Sequence, residues 1–201
     1  MDIKQKKILL EIARSAIENY LKNRVKRYPT RAEIDDPKLW EERATFVTLT
    51  IDGELKGCIG SIIPTKPLIM DVVDNAINAA FRDPRFFPLR EEELDKIEIE
   101  ISILTIPQRL EFVDYKDLFE KIKPGIHGVI LRKGYYQATF LPQVWGELPT
   151  HEEFFSHLCL KAGLSPSCFK ERSIEVEVYE VEAFSEKEIS DKGQMGTNKG
   201  L

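Results

Sequence analysis

The segment Lys96–Ile106, KIEIEISILTI, constrains the fold more than any other. Ile97, Ile99, Ile101 and Ile103 alternate strictly with Glu98, Glu100 and Ser102. A two-residue period puts every isoleucine on one face of a strand and every polar residue on the other, so the segment predicts a strand with one wet face. SIEVEVYEVEAF, from Ser173, repeats the pattern near the end of the chain. Glu98 and Glu100, like Glu175 and Glu177, lie two apart on such strands and read as solvated sheet faces rather than paired catalytic carboxylates. ATFVTLTIDGELKGCIGSI predicts a hairpin, with Asp52-Gly53 supplying the positive-φ turn, and HGVILRKGYYQATF predicts another turning near Lys133-Gly134.

Helices fall between these strands. Ile8, Leu9, Ile12, Ala16, Ile17, Tyr20 and Leu21 recur at helical spacing within Lys4–Val25. Leu68, Val72, Val73, Ala76, Ile77 and Ala80 do so after Pro67, and Pro84 stops that helix. YKDLFEKI suits a short helix, and Thr150 with Glu153 forms a capping box ahead of FFSHLCLKAG, whose Gly163 suits a C′ position. Frequent hairpins mixed with helices favour an antiparallel α+β fold over a doubly wound one. Residues 1–184 read as one domain, and 185–201 as a polar, mobile tail.

The chain has 201 residues, 42% hydrophobic, enough for a sizeable core. Its net charge of −5 argues against broad electrostatic binding of nucleic acid. No apolar run is long enough to span a bilayer, and charges throughout the first twenty residues exclude a signal peptide. Three widely spaced cysteines without an export signal predict reduced thiols in a cytoplasm. The Lys- and Glu-rich composition, 31% charged, has a thermophilic character.

The candidate site begins at ELKGCIGS, Glu54–Ser61. Glycines at 57 and 60 permit close backbone approach, and successive N–H groups there could cradle an anion. Cys58 could be a nucleophile, part of such an anion-binding turn, or a small buried residue. A cation such as Lys56, if close in space, would raise its thiolate fraction. AFRDPRFFPL adds Arg82, Asp83 and Arg85 on a proline-flanked turn, able to bind a carboxylate or phosphate or to pair locally. His127, between Gly125 and Gly128, is a candidate base if it reaches Cys58. His151 and His157 lack zinc-helix spacing, Cys159 reads as core and Cys168 as a loop or strand-edge thiol. No metal site, phosphate-binding loop or dinucleotide fingerprint is predicted, and no cofactor. The basic run KNRVKRYPTR suits a helix C-terminus, where cations complement the dipole.

FVTLTIDGELKGCIGS, AAFRDPRFFPL, EISIL, GIHGVIL and TFLPQV, in that order from about Phe46 to Tyr179, resemble the AMMECR-domain family. That family is named for a human chromosomal region linked to Alport syndrome, midface hypoplasia and elliptocytosis. Its hallmark is Leu-Arg-Gly-Cys-Ile-Gly; here it reads Leu55-Lys56-Gly57-Cys58-Ile59-Gly60, so the arginine fork is replaced by a point charge. The resemblance implies an antiparallel α+β fold with a large and a small lobe around a cleft near the hallmark. It also implies association with a Memo-like protein and a radical S-adenosylmethionine protein in an intracellular modification system. It implies no reaction.

Two functional expectations follow. In one, the protein is an enzyme: Cys58 is nucleophile or redox thiol, His127 the base, and Arg85 or Lys56 the charge stabiliser. In the other it is a ligand-binding or adaptor module in which Lys56, Gly57, Ile59, Gly60, Arg82 and Asp83 hold a small anion or partner peptide. Nucleic acid at the basic end of the first helix is a third, weaker reading, and exposed hairpin edges leave a homodimer open.

Overall fold

A computed structural model describes residues 1–195. In chain order the elements are α1 (Ile3–Asn23), β1 (Thr45–Ile51), β2 (Glu54–Gly60), α2 (Leu68–Phe81), β3 (Ile97–Leu104), β4 (Gln108–Arg109), α3 (Tyr115–Lys121), β5 (Gly128–Lys133), β6 (Tyr136–Phe140), α4 (His151–Lys161), β7 (Glu175–Tyr179), β8 (Val181–Ser185) and α5 (Glu186–Met195). The fold is α+β, with two four-stranded antiparallel sheets. Two compact units divide the chain: Met1–Ile103 together with the chain from Glu182, and Leu104–Val181.

In the first unit the strand order is β2-β1-β3-β8, so β2 is an edge strand. The alternation of β3 works as its sequence requires. Ile97, Ile99 and Ile101 join Val47 and Leu49 of β1 in a core with Leu9, Ala13 and Ile17 of α1 and Val72, Ala76 and Ala79 of α2. The opposite face carries Thr48, Glu98, Glu100 and Ser102. That face is not the solvated surface the sequence predicts: Glu98 and Glu100 are half-buried and Ser102 is buried. Burial, with Glu188 and Glu98 nearby, raises the pKa of Glu100 above the ordinary carboxylate range.

The Asp52-Gly53 turn forms as predicted, with both residues at positive φ (53° and 83°). A buried carboxylate fastens the other end of this hairpin. Asp71 of α2 accepts from Thr45 N at 2.8 Å, Thr45 Oγ1 at 2.7 Å, Ser61 Oγ at 2.9 Å and Asn75 Nδ2 at 2.9 Å.

In the second unit the order is β4-β7-β5-β6. Val129, Leu131 and Val176 pack with Leu118 of α3 and Phe154, Phe155 and Leu158 of α4. The Trp145 and Phe154 rings stack at 3.7 Å. The Thr150–Glu153 capping box opens α4, and Gly163 beyond its end takes φ 79°.

Two further expectations are corrected. Cys159 and Cys168 are not separate reduced thiols. They form a disulfide, both fully buried, and Cys58 is the free cysteine. The residues after Ser185 do not dissolve into an irregular tail at once, because Glu186–Met195 is helical. Tertiary contacts supply what the sequence pattern lacks. Ile189 joins the first core, and Glu186 takes Arg14 Nε and Nη2 at 2.6 Å and the Ile99 N–H at 3.0 Å. The rest of the expected tail, 196–201, lies outside the described residues.

Candidate functional site

The register of the first hairpin decides which way Cys58 faces. The two-residue turn pairs Ile51 with Glu54 and Thr50 with Leu55, but Leu49 then pairs with Gly57. Lys56 is the extra residue of a β-bulge, and every residue after it is turned to the other face. Cys58 therefore lies opposite Thr48, on the face away from the core, and Ile59 lies opposite Val47, against the core. The Thr48 hydroxyl donates to Cys58 Sγ at 3.3 Å. Thr48 in turn lies opposite Glu100 of β3, so Cys58, Thr48 and Glu100 make one row across the sheet.

The two glycines of the motif meet neighbouring protein atoms. A Cβ on Gly57 would stand 2.1 Å from the Ala79 carbonyl oxygen of α2, and one on Gly60 would stand 2.3 Å from the Phe46 ring. Neither adopts positive φ. The close approach of β2 to α2, and of Phe46 to β2, requires residues without side chains there.

The outer edge of β2 is closed by the turn after α2. Asp83, its side chain 1% exposed, accepts the Cys58 N–H at 2.9 Å. Arg85 donates to it through Nε at 3.0 Å, Nη2 at 2.7 Å and its backbone N–H at 3.1 Å. Arg85 Nη2 also reaches the Cys58 carbonyl at 3.2 Å. Asp83 and Arg85 thus take up both peptide groups that Cys58 turns away from β1, as an additional strand would. The Arg85 hydrogen bonds, helped by the Cys58 N–H, outweigh burial and hold the Asp83 carboxyl far below the usual range. Asp83 raises the Arg85 pKa, and the nearby Cys58 sulfur adds to this. The Arg85 side chain remains 57% exposed.

The bulge aims Lys56 away from the sulfur's surroundings. Its Nζ pairs with Glu93 Oε1 at 2.9 Å. Burial pushes against the charged form of Glu93, yet the Lys56 and Arg90 hydrogen bonds bring its pKa down to about 2. Arg82 leans on α1: it donates to Tyr20 Oη at 3.4 Å and Asn78 Oδ1 at 3.3 Å, with its guanidinium 5.9 Å from the Tyr20 ring centre. His127 belongs to the second unit. There its Nδ1 accepts the Lys123 N–H at 3.2 Å, which fixes the neutral tautomer with its proton on Nε2. Burial lowers its pKa; Glu180 works against that and Lys123 adds to it.

Cys58, Asp83 and Arg85 are therefore brought together, while Lys56 and Arg82 serve neighbouring contacts. Thr48 and Glu93 were not legible as site residues. Thr48 depends on the bulge, and Glu93 lies 37 positions from its partner. Among the described residues no three His, Cys, Asp or Glu side chains gather as a metal ion would need, and no helix is long and apolar enough to cross a membrane.

The molecule belongs to the class of two-unit α+β proteins with a glycine-flanked cysteine held on an edge strand by a buried aspartate–arginine pair. The family described as AMMECR1 matches residues 10–184, and the chain belongs to that family. Its relatives include Protein MK0488 of Methanopyrus kandleri, 41% identical over 94% of this chain and 91% of that protein. Protein Mbar_A1807 of Methanosarcina barkeri is 42% identical over 89% of each. The crystal structure of the uncharacterized protein PH0010 from Pyrococcus horikoshii is similar with a TM-score of 0.82 and 38% identity, covering 91% of this chain and 92% of that one. None of these names states an activity.

Proposed function

We propose that the protein is an enzyme, or a component of an enzyme system, that engages a small anionic or modified substrate through Cys58. One observation carries this reading: the Thr48 hydroxyl donates to Cys58 Sγ at 3.3 Å, on a partly exposed residue whose backbone is clamped by Asp83 and Arg85. A hydroxyl donor orients the sulfur, and a fixed backbone holds it where a nucleophile must be held. Arg85 offers an exposed positive charge for the substrate. His127, the base expected from the sequence, has no free ring lone pair in this tautomer, since Nδ1 accepts the Lys123 N–H and Nε2 carries the proton. A cytoplasmic setting, with Memo-like and radical S-adenosylmethionine proteins as partners, is what the family resemblance supports. The disulfide fits that setting if the source is a hyperthermophile, whose intracellular proteins are disulfide-rich.

A second reading, a ligand-binding or adaptor module, is favoured by a different observation. Cys58 N and O, Asp83 and Arg85 already satisfy one another, and among the described residues no titratable group hydrogen-bonds to Sγ. Cys58→Ser would then leave binding intact.

Alkylation of the folded protein by iodoacetamide at neutral pH, followed by mass spectrometry, separates the two. A hydrogen bond worth ~1 kcal/mol is a factor of about five in an equilibrium, and only part of it reaches the rate of sulfur attack. Thr48→Val should therefore slow alkylation of Cys58 about two- to threefold. No alkylation in the folded state, or a rate unchanged by Thr48→Val, would count against the thiol reading.

A further inference from the structure

An open pocket of about 1100 Å³ lies within the first unit, between the end of α1 and the loop after α2. Four cations line it, Lys22, Arg24, Lys56 and Arg90, against two carboxylates, Glu91 and Glu93, in a chain whose net charge is −5. Glu93 is already engaged by Lys56 Nζ at 2.9 Å and by the Arg90 N–H at 2.9 Å, and the Arg90 guanidinium pairs with Glu92 at 3.0 Å. The neighbouring cations Lys26 and Arg27 are paired with Asp74 and Glu33. Lys22 and Arg24, by contrast, form no ion pair among the described residues.

Arg24 caps α1, its N–H donating to Tyr20 O at 2.9 Å. It ends α1 at φ 56°, in the left-handed region where glycine is at home. Its guanidinium stands 5.9 Å from the Tyr20 ring centre and 5.8 Å from that of Phe81, and Arg82 stands over the same Tyr20 ring. Two guanidiniums therefore gather on one ring at the end of α1.

The rim of the pocket carries Phe87, 88% exposed. The ring is not exposed because its loop is loose. On one side the Phe86 N–H donates to Asp83 O at 3.2 Å; on the other, beyond Pro88, the buried Leu89 donates to Ala80 O at 2.7 Å. An anchored loop that leaves a phenyl ring in water presents that ring to a flat partner.

We infer that this pocket binds a nucleoside phosphate, with its phosphates toward Lys22 and Arg24 and its base stacked on Phe87. A bare anion would leave the ring unused, and a neutral aromatic would leave the cations unmatched. Stacking on a phenyl ring is tolerant of base identity, so the pocket reads the class of ligand rather than one base. The inference stands apart from the reactivity of Cys58, which is not among the lining residues.

Isothermal titration of the full chain with ADP, adenosine, pyrophosphate and a short oligonucleotide, at low and high salt, tests it. ADP should bind, more tightly at low salt, with adenosine and pyrophosphate each at least about tenfold weaker. Phe87→Ala and Arg24→Gln, both at exposed positions, should each weaken ADP about tenfold, and Cys58→Ser should leave ADP binding unchanged. No ADP binding up to about 5 mM overturns the inference, as does binding unaffected by Phe87→Ala. Pyrophosphate binding as tightly as ADP would reduce the pocket to a simple anion site, and binding of the oligonucleotide alone would assign it to nucleic acid; either outcome refutes the proposal.

Discussion

Gly57→Ala is expected to destabilise the first unit by about 3 kcal/mol or more, the upper end of the overpacking range. The added Cβ would sit 2.1 Å from the Ala79 carbonyl oxygen and 3.0 Å from its carbon, where ordinary contact begins at 3.4 Å. The obstacle is helix backbone, which cannot rotate aside as the tip of a side chain would. Val72, Ala76 and Ala79 hold α2 in the core, and the β1 ladder and Asp83 hold β2. Moving either element by the required ångström or so breaks one of these sets of contacts. For a chain of this length each kcal/mol is worth about 2–4 °C, so the melting temperature of the first unit should fall by about 6–12 °C in differential scanning calorimetry. Two controls bracket the effect. Gly146→Ala meets nothing within 4 Å and has no positive φ, so it should stay within about 0.5 kcal/mol of the parent. Gly53→Ala also meets nothing but sits at φ 83°, and should cost about 1 kcal/mol in strain. A Gly57→Ala protein that melts with Gly146→Ala would refute the packing argument. The reason for that glycine would then have to be a ligand.

The first unit should lose stability in acid. The folded pKa of Glu93 is depressed from 4.5 to about 2, so its contribution is complete above the unfolded value and is lost as pH falls through the folded one. Asp83, also depressed, acts in the same direction. Glu93→Gln should flatten the melting temperature between pH 4.5 and about 2, and an unaltered acid limb would contradict the assignment. In the second unit, the unreduced denatured chain should titrate one thiol and the reduced chain three. Cys168→Ser should cost that unit about 2–3 kcal/mol by urea unfolding, from a crosslink spanning nine residues. An unchanged midpoint would remove the disulfide from the account of its stability.

Much of the fold was legible because it rests on short-range rules. Ile97, Ile99 and Ile101 announce which face of β3 is buried, since a strand has no other way to hide alternate residues. Asp52-Gly53 announces a two-residue turn because few residue pairs accept two positive φ values. Thr150 with Glu153 announces the start of α4 because the two side chains satisfy N–H groups that would otherwise lack partners. Of the candidate site, the grouping of Cys58 with Asp83 and Arg85 was legible only as two separate motifs. Twenty-five positions separate Cys58 from Asp83, and the hydrogen bond that joins them depends on how α2 packs on β2.

The sequence by itself determined the antiparallel α+β class, the helices α1 to α4 and the hairpins, because periodicity, turn chemistry and capping act within a few residues. Only the tertiary structure decided which way Cys58 of the candidate site faces. Continued from the Ile51–Glu54 turn without interruption, the ladder would set Cys58 opposite Val47, in the core; the bulge at Lys56 sets it opposite Thr48 instead. The disulfide between Cys159 and Cys168, the pairing of Lys56 with Glu93 and the helix from Glu186 belong to the same kind. Each is stabilised by groups distant in the chain, and such contacts exist only after the packing that creates them.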